Sequence, residues 1–154
     1  YALAGGFELA ISCDLIIAAE NSKFGIPEVK RGLAAAAGGL VKLPKQIPSR
    51  IAMELALTGD FISAARAYEL GLINRCCAAG DALVQARELA AKIVANGPLA
   101  VAASLKTVAS AQDWSSDEMF ARQQAIVTPV LASEDAIEGA TAFAEKRAPN
   151  WKGR

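Results

Sequence analysis

The sequence predicts an α/β fold in two stretches, short strands alternating with helices over residues 1–77 and helices alone over residues 78–154. Three observations predict it. The run Asp14-Leu15-Ile16-Ile17-Ala18-Ala19 is apolar, rich in β-branched residues and too short for a helix, which marks a buried strand. Amphipathic segments at Ser49 to Leu57 and Ser63 to Leu70 are each followed by a helix-ending glycine, Gly59 and Gly71. From Asp81 onward, Leu83, Ala86, Leu89, Ala90, Ile93 and Val94 recur at the spacing of one helical face. The boundary near Cys77 is a change of architecture, since no flexible linker, repeat or low-complexity segment separates the stretches.

Each element follows in order. The apolar opening from Tyr1 to Ile11 contains Gly5-Gly6 and predicts a helix from Gly5 to about Ser12. The strand at Asp14 to Ala19 comes next, and Ser22 to Gly25 is a shorter one. Pro27-Glu28 opens a turn of helix, because proline suits the first helical position and a carboxylate the first turn. Gly32 to Gly39 is a loop of small residues, and Leu40 starts the next helix. After the helices at 49–57 and 63–70, Leu72 to Cys76 reads as a short strand. In the second stretch Gly97-Pro98 breaks the first helix, and Leu99 to Ala111, Ser116 to about Val130 and Glu134 to Lys146 form three more. Ser116 and Ser133 are their expected N-caps.

Composition removes several classes of function. Sixteen Lys plus Arg balance sixteen Asp plus Glu, so no net field draws the chain to nucleic acid or to an anionic membrane. No uncharged apolar stretch reaches the length of a spanning helix, although 53% of residues are hydrophobic. The three cysteines, Cys13, Cys76 and Cys77, lack zinc-site spacing and are expected to be buried thiols in a reducing, cytoplasmic compartment. The absence of histidine removes a Ser-His-Asp triad and a Cys-His pair. The apolar excess implies large contacts with further chain or with other subunits.

What remains is carboxylate chemistry. Glu8 is flanked by apolar residues on both sides, and burial there disfavours its charge unless a donor or cation compensates. Gly5-Gly6 lets backbone approach a ligand closely, and a helix starting there aims free N–H groups at developing negative charge. Glu28 follows twenty residues after Glu8. Its plainer reading is a carboxylate complementing a helix dipole.

These residues carry a resemblance. Ala2-Leu3-Ala4-Gly5-Gly6-Phe7-Glu8-Leu9-Ala10, Cys13-Asp14, Phe24-Gly25-Ile26-Pro27-Glu28, Gly38-Gly39, Leu57-Thr58-Gly59-Asp60, Ser63-Ala64-Ala65, Gly71-Leu72-Ile73-Asn74 and Ala142-Phe143-Ala144-Glu145-Lys146-Arg147 resemble, in order and spacing, the crotonase or enoyl-CoA hydratase/isomerase superfamily. Joint spacing makes the match specific, and it covers nearly the whole chain. The resemblance implies the C-terminal part of a ββα spiral core over 1–77, followed by a helical oligomerisation region over 78–154. The missing first half would hold the other oxyanion donor and much of the CoA-binding surface.

By the same resemblance Gly5 supplies one oxyanion N–H, Glu8 activates water, and Glu28 delivers a proton to the α-carbon of an enoyl-CoA thioester. Water would add syn across the 2,3 double bond to give 3-hydroxyacyl-CoA, with coenzyme A entering as part of the substrate and no permanently bound cofactor. The assembly implied is a homotrimer or a dimer of trimers. An enoyl-CoA delta-isomerase and a non-catalytic acyl-CoA-binding or oligomerisation module are the alternatives. Ala35-Ala36 departs from the more usual Pro-Gly of the family. The Ala36 N–H is expected to remain able to hold the catalytic water, while the loop takes a different path or admits a different acyl group, because alanine tolerates positive φ poorly. Phe143 and Lys146 are candidate CoA contacts, and Arg147 is considered with them. The competing readings are an interface or core aromatic for Phe143, as for Trp151, and dipole-complementing cations for Lys146 and Arg147.

Overall fold

A computed structural model describes residues 1–154. They form two compact units, Tyr1–Glu88 and Leu89–Arg154.

In the first unit, β1 (Ala2–Leu3) runs parallel to β3 (Lys23–Gly25), and β3 pairs antiparallel with β4 (Ile62–Ser63). A separate parallel pair joins β2 (Ile17–Ala19) to β5 (Arg75–Cys77). Between the strands lie α1 (Gly5–Ala10), a 3-10 helix (Pro27–Arg31), α2 (Gly39–Gln46), α3 (Ser49–Thr58) and α4 (Ala64–Glu69). The core gathers Phe7 and Ile11 from and after α1, Phe24 and Ile26 from and after β3, and Leu43, Ile47 and Leu55 from the α2 and α3 region. The Phe7 and Phe24 rings meet at 5.7 Å and 49°, a tilted contact that locks α1 onto β3. Gly25 allows β3 to touch the segment before β4, since a Cβ there would lie 2.7 Å from the Phe61 ring and 2.9 Å from the Asp60 carbonyl.

The strands differ from expectation for identifiable reasons. The strand predicted over Asp14 to Ala19 narrows to Ile17–Ala19 because Asn74 takes up the Ile16 backbone: its Oδ1 accepts from Ile16 N at 2.7 Å, and its N–H donates to Ile16 O at 2.8 Å. The strand predicted over Leu72 to Cys76 moves to Arg75–Cys77. Leu72 donates its N–H to Ala67 O at 2.9 Å, closing the end of α4, and with Ile73 it drops into the core from a turn. The two-residue strands β1 and β4 were not expected, as two residues are too few to show a period.

Helix boundaries follow the sequence more closely. Pro27 opens its helix as expected, and Gly32, at φ 69, ends it. Gly59, at φ 65, ends α3. Cys13 and Cys76 are exposed and Cys77 is half-buried, which corrects the expectation of buried thiols. The Cys77 thiol is pushed up by desolvation, and it donates to Ala18 O at 3.4 Å.

Beyond β5 the chain is helical: α5 (Ala82–Val94), α6 (Pro98–Ala111), α7 (Met119–Leu131) and α8 (Glu134–Glu145). In the second unit α6 lies along α7, and α7 touches α8. Ser133 caps α8 as predicted, its Oγ accepting from Ala136 N at 3.1 Å. Ser116 does not cap α7. Residues 115–118 form a turn in which Ser115 O takes the N–H groups of Glu118 and Met119, and the helix starts only at Met119.

The tail of this unit folds back on α8. Asp135, 5% exposed, accepts from Lys152 N at 2.7 Å and Gly153 N at 2.9 Å. Trp151 lies over Gly97 and Gly139, and its indole N–H donates to Ala95 O at 2.9 Å.

Candidate active site

The site begins with the turn from β1 into α1. Ala4 sits there at φ 52, ψ −131, a conformation that costs a non-glycine residue about 1–3 kcal/mol and persists only where its surroundings impose it. Its N–H donates to Gly25 O at 3.0 Å, and its carbonyl accepts from Phe7 N and Glu8 N, both at 2.9 Å. The sharp turn leaves Gly5 and Gly6 exposed at the helix start. Their N–H groups belong to a first helical turn, which has no carbonyl of its own to bind them. No heavy atom lies within 4 Å of where a Cβ would stand on either glycine.

One turn on, Glu8 points inward and is 4% exposed. A buried carboxylate needs donors. Glu8 Oε1 has two, Ala37 N and Gly39 N, each at 2.8 Å. Gly38, between them, adopts φ 112, which lets the flanking N–H groups converge on a single oxygen. Ala36, expected to hold the catalytic water, is exposed and does not line the nearby cavity, and its neighbour Ala37 is the residue that donates to Glu8. The alanines do not strain the loop, since its positive φ values fall on Gly32 and Gly38.

Glu28 stands in the 3-10 helix, with its backbone carbonyl accepting from Leu33 N at 3.1 Å. Its Oε2 is buried and has no hydrogen-bond partner. The side chain lines a cavity of about 360 Å³ whose other walls include Ile26, Ala35, Gly39, Leu43, Ala52 and Met53. A lone carboxylate oxygen in an apolar cavity is the arrangement that a polar ligand group or a transferable proton would complete.

Gly39 links the two glutamates, holding Glu8 through its N–H and facing the cavity beside Glu28. Glu8 itself is not part of the cavity wall. A wider recess of about 480 Å³, lined by Tyr68, Arg75, Cys76 and Asp81 among others, contains neither glutamate.

Phe143 and Lys146 belong to the other compact unit. Phe143 is 87% exposed, and Lys146 ends α8 in the left-handed conformation at φ 55. Arg147 is engaged by side chains rather than by the helix end alone: it binds Glu138 at 2.7 and 3.0 Å and Glu145 at 2.6 Å. The sequence reading missed Ala37 and Gly39 as donors and Ala52 and Met53 as cavity walls. Of these, only Gly39 left a sequence signal, in the Gly38-Gly39 pair.

The family model described as enoyl-CoA hydratase/isomerase matches residues 1–154, and the chain belongs to that family. It is 42% identical over 158 residues to a carnitinyl-CoA dehydratase of Salmonella typhi and to one of Proteus mirabilis, matching all of this chain and 60% of each relative. Among solved structures it resembles an enoyl-CoA hydratase from Mycobacterium tuberculosis, with TM-score 0.98, 59% identity, and coverage of 100% of this chain and 61% of that one. An enoyl-CoA hydratase from Mycobacterium marinum gives TM-score 0.98 and 58% identity over 100% and 61% of the two chains. The α/β architecture is that of the crotonase fold, and the chain spans about 60% of the length of the curated relatives it matches.

Proposed function

We propose that the chain carries the acid–base half of an enoyl-CoA hydratase. The observation behind this reading is the contrast between two carboxylates: Glu8, buried and fixed through Oε1 by two backbone donors, and Glu28, half-buried with a buried, unpartnered Oε2 at an apolar cavity. Carboxylates in unlike environments can divide acid and base roles. Glu8 Oε2 takes a proton from water as the water oxygen bonds to C3. Glu28 gives a proton to C2 as the C=C π bond is lost. The thioester oxygen, which carries enolate charge in between, accepts from Gly5 N–H. In dehydration the two carboxylates exchange roles, which suits the dehydratase names of the 42% identical relatives.

An isomerase needs one dominant acid–base group, so a second carboxylate, Glu28 at the cavity, favours the hydratase. Coenzyme A enters with the acyl group, and no resident cofactor is required. The second oxyanion donor and the main CoA surface belong, on this reading, to the part of the relatives' length that residues 1–154 do not match. Residues 1–154 alone should then lack turnover.

The second unit is proposed to serve assembly into a trimer or a dimer of trimers. Val108 on α6, Phe120 and Leu131 on α7, and Ile137 and Phe143 on α8 are all large, apolar and exposed. A cytoplasmic location fits the three unpaired thiols. The test of the reaction is the complete enzyme on crotonyl-CoA and longer 2-enoyl-CoAs, with and without Glu28→Gln. Sedimentation tests the assembly, and a stable monomer at micromolar concentration would contradict it.

A further inference from the structure

We infer that Gly39 is a positioning residue for Glu8, a glycine because a side chain there would crowd the carboxylate. The inference rests on the acid–base reading of Glu8 for its kinetic consequence, though not for its steric one.

Gly39 is the first residue of α2, and its φ is not in the left-handed region. Backbone geometry therefore does not demand glycine. Helix propensity opposes it, because alanine loses less conformational entropy in a helical position. The reason lies in space. A Cβ built on Gly39 would stand 3.0 Å from Glu8 Oε1, 3.2 Å from Glu8 Cγ and 3.3 Å from Ala35 Cβ. Two of the three nearest atoms belong to Glu8, and one of those is the oxygen bound by Gly39's own N–H at 2.8 Å.

A methyl group would require the Glu8 carboxylate to give by a few tenths of an ångström, and any shift of Oε1 disturbs both hydrogen bonds together, since Ala37 N and Gly39 N bind the same oxygen. Ala35, the third contact, is 5% exposed and packed in the core, so it has little room to yield. The strain is then relieved by moving the Glu8 carboxylate. Gly38 differs: a Cβ there meets only the flexible chain of Lys42 at 3.5 Å, and its glycine is explained by φ 112. The adjacent glycines thus do separate work, Gly38 turning the backbone and Gly39 leaving room for the carboxylate.

Two cycles in the complete enzyme test this. In the kinetic cycle, Gly39→Ala is expected to lower kcat about 10- to 100-fold with KM within about 3-fold, as a small misplacement of a catalytic group does. Placed on Glu8→Gln, it should lower kcat by less than about 2-fold further, because the group it displaces no longer works. Equal losses in both backgrounds would overturn the inference. In the stability cycle, Gly39→Ala should lower the Tm by about 2–4 °C when Glu8 is present, and leave it unchanged or raise it when Glu8→Ala has removed the crowded atoms. An equal fall in both backgrounds would overturn it. Absence of hydration by the unmodified enzyme would instead defeat the hydratase reading, while the stability cycle would still decide whether Gly39 positions Glu8.

Discussion

Arg147 grips Glu138 through two parallel bonds, Nη1 to Oε1 at 2.7 Å and Nη2 to Oε2 at 3.0 Å, while Asn150 N adds a third donor to Oε1 at 2.7 Å. Lys146, at φ 55, reverses the chain after α8 and brings Arg147 back along the helix it has just left. The Arg147 hydrogen bonds, and then the Asn150 N–H, hold the Glu138 carboxyl down at about 2, against 4.5 for a free glutamate.

The sign of the pH dependence follows. A carboxyl depressed in the folded state contributes its stability fully above about 4.5 and loses it as pH falls through about 2. Asp60, lowered chiefly by its hydrogen bond to Lys30, and Glu134, lowered chiefly by Lys152, act in the same direction. The Tm should therefore fall as pH drops from about 5 to 2, and Glu138→Gln should flatten that fall. Parallel Tm curves for the two proteins would show that the Arg147 pair contributes nothing.

Glu8→Gln and Glu28→Gln should each lower kcat of the complete enzyme by about 10²- to 10⁴-fold with little change in Tm, because each amide keeps the shape and loses the proton transfer. In Glu8→Gln the amide oxygen can still accept from Ala37 N and Gly39 N, so its fold in particular should be unaffected. Steady-state kinetics beside thermal melts check both. Near-parent activity for Glu28→Gln would leave the two-carboxylate mechanism without its acid.

Trp151→Ala should destabilise the second unit by about 1–3 kcal/mol, since it removes the ring packed on Gly97 and Gly139 and leaves Ala95 O without the indole donor. Trp151→Phe should recover part of the loss, the packing without the hydrogen bond. Urea unfolding measures both, and an unchanged midpoint for Trp151→Ala would mean that the tail contributes no stability.

The parts of this molecule legible in its sequence are those written in side-chain pattern. Glu8's burial followed from its apolar flanks, and Pro27, Gly59 and Ser133 marked helix ends because each has a local backbone reason to be there. Glu8's donors were not legible, because they are backbone amides 29 and 31 positions away and every residue type but proline supplies one. That Ala37 is one of them depends on a loop turned by the positive φ of Gly38, which the run of four alanines does not announce. Strand β5 shifted because Leu72 spends its N–H on the end of α4, a tertiary closure that periodicity does not encode. Arg147 read as a cation at a helix end, since nothing local announced the reversal at Lys146 that delivers it to Glu138.

The most direct test of the account is the absorbance of the conjugated thioester when the complete enzyme meets crotonyl-CoA, followed in parallel for the unmodified protein and for Glu28→Gln. The account predicts rapid loss of absorbance with formation of 3-hydroxybutyryl-CoA by the unmodified protein, and a rate about 10²- to 10⁴-fold lower for the variant. Equal rates for the two proteins, or no hydration of crotonyl-CoA or longer 2-enoyl-CoAs by the unmodified one, would contradict it.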